Sequence, residues 1–154
     1  MKHKFLLDEN ILYFAINGVD ENDAPHETST ILVTRIGLNC HTIVVSQFLL
    51  DRYWVHINHI LRQGRRARAL EPVVFINQLL KNSQKWAVEW SECPPLPGGV
   101  VVPAEDVAIV RLALLAGARI VTGDSDLRLA VNGSAALNLQ AVTPSEALVF
   151  AADS

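Results

Sequence analysis

Four aspartates stand beside apolar segments in positions that could do chemistry: Asp8, Asp106, Asp124 and Asp126. Asp8 closes a short apolar run, and Asp124 closely follows a second run at 118–122. Ligands of open parallel sheets bind outside the carboxyl ends of the strands, so we expect these carboxylates at one edge. Grouped carboxylates repel one another and resist burial, so such a cluster needs a cation. Mg²⁺ or Mn²⁺ fits best, since hard ions prefer carboxylate and water oxygens.

Acid-held magnesium keeps several waters and usually completes its shell with phosphate oxygens. A metal-bound hydroxide can attack phosphorus in line, so no nucleophilic side chain is required. The pattern therefore predicts hydrolysis of a phosphate ester. His56 and His59 are three residues apart on a predicted helix, but no third ligand stands nearby, and the two cysteines lack zinc-site spacing.

Each acid also has a structural interpretation. Asp106 could simply stabilise a helix N-terminus, and Asp124 and Asp126 could be turn and capping residues. Asp51 taken alone is more typical of an exposed helix position. Asp8 is harder to explain structurally, because a charge that ends an apolar strand is less often purely structural.

The elements that must position these acids alternate between strand and helix patterns. Strands are predicted at 4–8, 42–46, 118–122 and 137–142. Helices are predicted at 10–16, 25–36 with Gly37 as its cap, 47–61, 71–90, 106–116 with Gly117 as its cap, 127–131 and 144–151. Such alternation predicts an α/β fold, with a parallel sheet, right-handed crossovers and helices on both faces.

The last helix has the clearest start signals. Thr143 is a good N-cap, Pro144 suits the first helical position, and Glu146 completes a capping box. At the ends of other strands, Ser46 and Thr122 are expected to orient carboxylates or water by hydrogen bonding.

Length and composition set broad limits. A chain of 154 residues with 50% hydrophobic composition is expected to form one domain, 1–154, around a substantial core. The net charge of −3 does not suggest a protein that coats nucleic acid non-specifically. The two cysteines predict a reducing, cytoplasmic setting, and without a run of roughly 18 apolar residues we expect no membrane span.

One segment is strongly basic: it contains Arg62, Arg65, Arg66 and Arg68 around Gly64. Segments of this kind are most often solvated connections between helices. The arginines could instead supply the phosphate contacts that an acidic site lacks. Both interpretations remain open from the sequence.

These features together resemble the PIN-domain family of metal-dependent ribonucleases. The matching segments are Leu7-Asp8-Glu9-Asn10-Ile11-Leu12, Val44-Val45-Ser46, Asp106-Val-Ala-Ile with Ala113, Ile120-Val121-Thr122-Gly123-Asp124-Ser125-Asp126-Leu127 and Val142-Thr143-Pro144-Ser145-Glu146. They cover both ends of the chain and its centre, but neither the arginine segment nor the proline-rich stretch at 94–99. The resemblance implies a three-layer α/β/α sandwich with a mainly parallel sheet.

The resemblance also implies roles for particular residues. Metal ligands and catalytic residues would be Asp8, Asp106, Asp124 and Asp126, with Asn10, Ser46 and Thr122 in support. The family has a further acid on the helix after the second strand. In this sequence that position is occupied either by Asp51, which would then be a fifth metal ligand, or by Arg52. The implied activity is endoribonuclease cleavage of RNA with Mg²⁺ or Mn²⁺. Many relatives are toxins that pair with an antitoxin protein and form homodimers.

Two other functions compete with the nuclease hypothesis. The first is a catalytically silent PIN-like module that binds RNA or a protein, which the uncertain acid on the third helix favours. The second is a phosphatase of the haloacid dehalogenase type. In that chemistry Asp8 would be the nucleophile, and a second aspartate is needed two residues later. Asn10 stands at that position, which argues against a phosphatase.

Overall fold

The computed structural model describes residues 1–18, 22, 24, 26–62, 81, 82 and 84–153. Its strands are β1 (Lys4–Leu7), β2 (Thr42–Val45), β3 (Trp86–Val88), β4 (Arg119–Val121) and β5 (Ala141–Val142). The α-helices of this part are α1 (Glu9–Asn17), α2 (Glu27–Leu38), α3 (Gln47–Arg62), α4 (Val107–Ala116), α5 (Ser125–Asn132) and α6 (Pro144–Ala151). Short 3-10 turns span Ala104–Asp106 and Ala135–Leu137.

The five strands form one parallel sheet in the order β3-β2-β1-β4-β5. The chain thus builds outward from β1 to β3 on one side, then returns and continues through β4 and β5 on the other. The strand order reverses between β1 and β4, where Leu6 pairs with Ile120 and Leu7 with Val121. A crevice at the carboxyl ends of these two strands is the expected ligand site of such a sheet.

Helices cover both faces of the sheet in a three-layer α/β/α arrangement, as the sequence predicted. Helix α1 packs on α2 and α3, and α2 also packs on α6, so these four helices form one layer. Right-handed crossovers then place α4 and α5 in the opposite layer. The central strands are buried on both faces: Phe5, Leu6 and Leu7 are 0% exposed, as are Ile43, Val44 and Val45 of β2.

Local signals explain where several elements end. Helix α4 stops at Gly117, whose φ of 65° lies in the left-handed region that glycine adopts without strain. Helix α6 starts with the predicted capping box: the Thr143 hydroxyl accepts from the Glu146 amide, and Glu146 accepts from the Thr143 amide.

Replacing Thr143 with alanine should lower the free energy of unfolding by about 1 kcal/mol, the usual effect of losing an N-cap hydroxyl. Urea denaturation measures this change. A Thr143→Ser variant retains the acceptor oxygen and should stay within a few tenths of a kcal/mol of the natural protein. Equal losses in both variants would show that the cap bond is not what stabilises the helix start.

Three details differ from the sequence predictions. Trp86–Val88 is a strand, not the end of a helix, because it pairs along the edge of β2. Helix α2 continues past Gly37 and ends at Leu38, with Asn39 as its cap. The last strand is only Ala141–Val142, because Leu137 belongs to a 3-10 turn and Asn138 has a left-handed φ of 49°. Among the described residues, no helix combines the length and apolar character that a membrane span requires.

Candidate functional site

Asp8 lies at the carboxyl end of β1, where the backbone turns into α1. Its amide donates to the Val121 carbonyl, which continues the pairing with β4, and its side chain is only 9% exposed. The Thr122 hydroxyl donates to Asp8 Oδ2 at 2.8 Å. Burial raises the pKa of Asp8, the Thr122 hydrogen bond opposes this, and the charges of Glu9 and Asp124 raise it further.

Asp106 enters the same site from the start of α4. It ends the 3-10 turn, makes no capping hydrogen bond with its side chain and is 7% exposed. Within the described residues its Oδ2 is buried without a hydrogen-bond partner. Burial, followed by the charges of Asp8 and Asp124, raises the pKa of Asp106 to about 6. The capping interpretation of this acid therefore lacks the hydrogen bond that it requires.

Asp124 follows β4 and is exposed at the start of α5. Its Oδ1 accepts from the amides of Asp126 and Leu127 at 2.9 and 3.4 Å, so this acid does cap a helix. The Asp124 amide donates to the Thr122 hydroxyl at 3.1 Å. Thr122 is 0% exposed and thus links the end of β1 to the turn after β4.

These acids border an open cleft of about 850 Å³. Its acidic side is formed by Asp8, Glu9, Glu105, Asp106 and Asp124, and the side formed by α1 and α3 carries Tyr13, Phe14, Val55, His56 and His59. The cleft lies at the reversal of strand order, as a ligand site of a parallel sheet should.

Comparison with known proteins identifies the fold. No protein-family model matches the chain, and neither does any curated protein. In structure the chain is similar to PAE2754 from Pyrobaculum aerophilum, with 19% sequence identity, a TM-score of 0.53 and complete coverage of both chains. A PilT N-terminus (PIN) domain protein from Sulfolobus solfataricus P2 is another neighbour, with 12% identity, a TM-score of 0.45 and coverage of 98% of this chain and 95% of that one. The chain therefore shares its fold with PAE2754. Identities this low show the fold alone.

The fold brings together only some of the predicted site residues. Asn10 lines the cleft with Asp8. Asp126 is exposed and does not line it, and Asp51 is exposed with its carboxylate accepting from Gln47 at 2.8 Å. The Ser46 hydroxyl is buried without a hydrogen-bond partner among the described residues.

The predicted phosphate-binding arginines are almost entirely outside the described residues. Helix α3 ends at Arg62, whose side chain is not described. Arg65, Arg66 and Arg68 lie outside the described residues. Their role therefore stays a prediction.

Glu9 is a site residue that sequence patterns did not single out. Its Oε2 lies 3.1 Å from His56 Nε2, and its Oε1 lies 3.9 Å from an Arg52 guanidinium nitrogen. The charge of Arg52 also lowers the pKa of Asp106, the last of the influences on that acid. The signal that could have found this group is the four-residue spacing of Arg52 and His56, which places both on one face of α3.

The oxygen donors suit a hydrated divalent cation better than a fully protein-enclosed one. In the part of the chain that the structure describes, no group of three or more His, Cys, Asp or Glu side chains is placed to hold one ion. Asp8 and Asp106 are nevertheless both buried carboxylates, and Asp106 has the unpartnered oxygen. Mg²⁺ commonly binds through one or two carboxylates and keeps several waters, so this donor set fits it.

Thr122→Val should test how strongly the threonine hydroxyl organises the site. The variant keeps the shape of the side chain but removes the bonds to Asp8 and to the Asp124 amide, so we expect a loss of about 1–2 kcal/mol in unfolding free energy. Urea denaturation in chelator measures it. Thr34→Val is the matched control, because among the described residues the Thr34 hydroxyl donates to the Thr30 carbonyl of its own helix, α2. Equal effects of the two substitutions would contradict a special role for Thr122.

Proposed function

We propose that this protein is a divalent-cation-dependent ribonuclease whose active site is the acidic cleft. The observation that carries the proposal is the pair of buried carboxylates, Asp8 and Asp106, at the reversal of strand order. Among the described residues, Asp106 Oδ2 has no hydrogen-bond partner. Buried like charges need a positive counter-charge, and a cation held there would meet a phosphate group entering the open cleft.

Each residue then has a definite task. Asp8 and Asp106 would hold Mg²⁺ or Mn²⁺, and Asp124, which lines the same cleft, would bind a water of the hydrated cation through the oxygen that does not cap α5. When bound, the cation supplies an activated water and neutralises charge that develops on the phosphate. Thr122 fixes the Asp8 carboxylate through its 2.8 Å hydrogen bond and thereby orients a ligand. Tyr13 and His56, on the opposite side of the cleft, would contact the nucleotides that flank the cleaved bond.

RNA is the proposed substrate because the ordered motifs, from Asp8 to the capping box at Thr143, resemble those of PIN-domain ribonucleases. Action as the toxin of a toxin–antitoxin pair, a partner antitoxin and a homodimer belong to the same proposal and rest on the resemblance alone.

A titration of Mg²⁺ and Mn²⁺ by calorimetry, followed by incubation with labelled mixed-sequence RNA, tests the proposal. The natural protein should bind the cation and cleave the RNA, and both properties should be lost in Asp8→Asn. Cleavage that persists in chelator would overturn the cation-dependent mechanism.

A silent RNA- or protein-binding module is the second candidate. It is favoured by one observation: Asp51, the acid predicted on α3, makes a hydrogen bond at the surface and does not line the cleft. Binding of RNA with the same affinity in chelator and in magnesium, without cleavage in either, would support this second function.

A further inference from the structure

A second cleft lies beside the amino ends of β1 and β4, at the end of the sheet opposite the acidic cleft. It has a volume of about 410 Å³, within the usual range of roughly 300–1,000 Å³ for small-molecule sites. Its lining includes Lys2, His3, Lys4 and Arg119, and none of the described residues that line it is acidic. This is a concentration of positive charge in a chain whose net charge is −3.

Arg119 is held in place by groups that carry no negative charge. Its Nε donates to Gln140 Oε1 at 2.8 Å, its guanidinium carbon lies 3.5 Å from the centre of the Phe150 ring, and an NH1 nitrogen lies 3.4 Å from His3 Nδ1. Burial lowers the pKa of the guanidinium. Partly buried charges are normally paired, yet none of these partners carries a negative charge.

The neighbouring charges do not neutralise this cleft. Asp153 is the nearby acid, but its carboxylate bonds His3 Nε2 at 2.7 Å and does not line the cleft. Lys4 Nζ lies 3.3 Å from the Ala116 carbonyl, so Lys4 interacts with the C-terminal end of α4. That role at the helix end explains the position of Lys4 but not those of Lys2 and Arg119. Neither of these two side chains makes an ion pair with a described acid.

We propose that this basic cleft binds the phosphate group of a nucleotide. A guanidinium fixed by stacking and by a hydrogen bond presents its remaining N–H groups to a phosphate with little loss of side-chain freedom, and Lys2 and Lys4 add charge at the rim. The volume leaves room for more than a bare phosphate. The phosphate can belong to a free nucleotide or to an RNA chain, since both present the same oxygens. This site is separate from the acidic cleft and does not depend on nuclease activity.

The test is a titration of amide NMR shifts, in chelator and phosphate-free buffer, with adenosine 5′-monophosphate and separately with a short single-stranded RNA. Chelator keeps cations out of the acidic cleft at the carboxyl ends of the strands. Either probe should shift the amides of Gly117 and Gln140 and leave that of Gly123 unchanged. A response to the nucleotide identifies a free-nucleotide site, and a response to the RNA alone identifies a backbone contact; both support the proposal.

Variants make the assignment specific. Arg119→Gln combined with Lys2→Gln should weaken binding by about tenfold or more, since it removes two charge-assisted contacts. Arg35→Gln removes one positive charge from the exposed surface of α2 and should change affinity by less than about twofold. If loss of the Phe150 contact unfolds the first variant, Lys2→Gln with Lys4→Gln tests the same charge at exposed positions. Failure of both probes to shift these amides, or equal binding by the charge-deleted variants and the natural protein, would overturn the proposal.

Discussion

Asp106→Asn is expected to reduce cation-dependent RNA cleavage by more than about 100-fold while the protein remains folded. The Asp106 carboxylate is buried at the acidic cleft, and its Oδ2 has no hydrogen-bond partner within the described residues. An amide of the same shape offers one neutral oxygen, so it binds a divalent cation far more weakly. Initial cleavage rates at several magnesium concentrations measure the loss.

Two matched substitutions provide the controls for that experiment. Asp51→Asn and Asp126→Asn make the same chemical change at exposed acids that do not line the cleft. We expect each to retain cleavage within about threefold of the natural protein. Full activity in folded Asp106→Asn would remove this residue from the cation site. A loss in Asp51→Asn as severe as that in Asp106→Asn would place the missing acid on α3 after all.

The sequence was sufficient to predict elements whose signals are local. The capping box at Thr143 and the glycine after α4 fix their helix ends through neighbouring residues, and both were predicted at the correct positions. Strand β3 has no such signal. Its residues are all half-buried, and it exists because Ile43, Val44 and Val45 of β2 offer it a partner from more than 40 positions away.

The acids of the cleft likewise differ in whether local signals in the sequence predict their positions. Asp8 and Asp124 could be predicted because each follows a buried apolar strand, and the sheet order then places those strands side by side. Glu9 could not, because its role depends on how α1 packs on α3 and thus on its contact with His56. The hydrogen bond between Thr122 and Asp8 likewise joins residues 114 positions apart. Spacing indicated that Thr122 ends a strand, but only the fold shows which acid it contacts.

In chelator, the contribution of Asp106 to the unfolding free energy should fall by about 1–2 kcal/mol as the pH rises from about 4 to about 7, after allowance for solvent screening in the open cleft. The pKa of Asp106 is raised from 3.8 to about 6 in the folded protein. Between these values the folded chain keeps a proton that the unfolded chain has lost. The folded state therefore binds more protons, and raising the pH favours unfolding. Asp8, whose pKa is also raised by burial, contributes in the same direction.

Urea denaturation across this pH range, with and without magnesium, measures the effect. Asp106→Asn has no proton to lose at this position, so in chelator at pH 7 it should be about 1–2 kcal/mol more stable than the natural protein and show a flatter pH profile. Magnesium should restore the stability of the natural protein at pH 7 by binding the folded state, and it should do much less for the variant. A variant that is less stable than the natural protein at every pH would indicate that Asp106 supports the start of α4. In that case the buried charge of Asp106 would not be what destabilises the cation-free protein, and the proposed cation would have no such charge to neutralise.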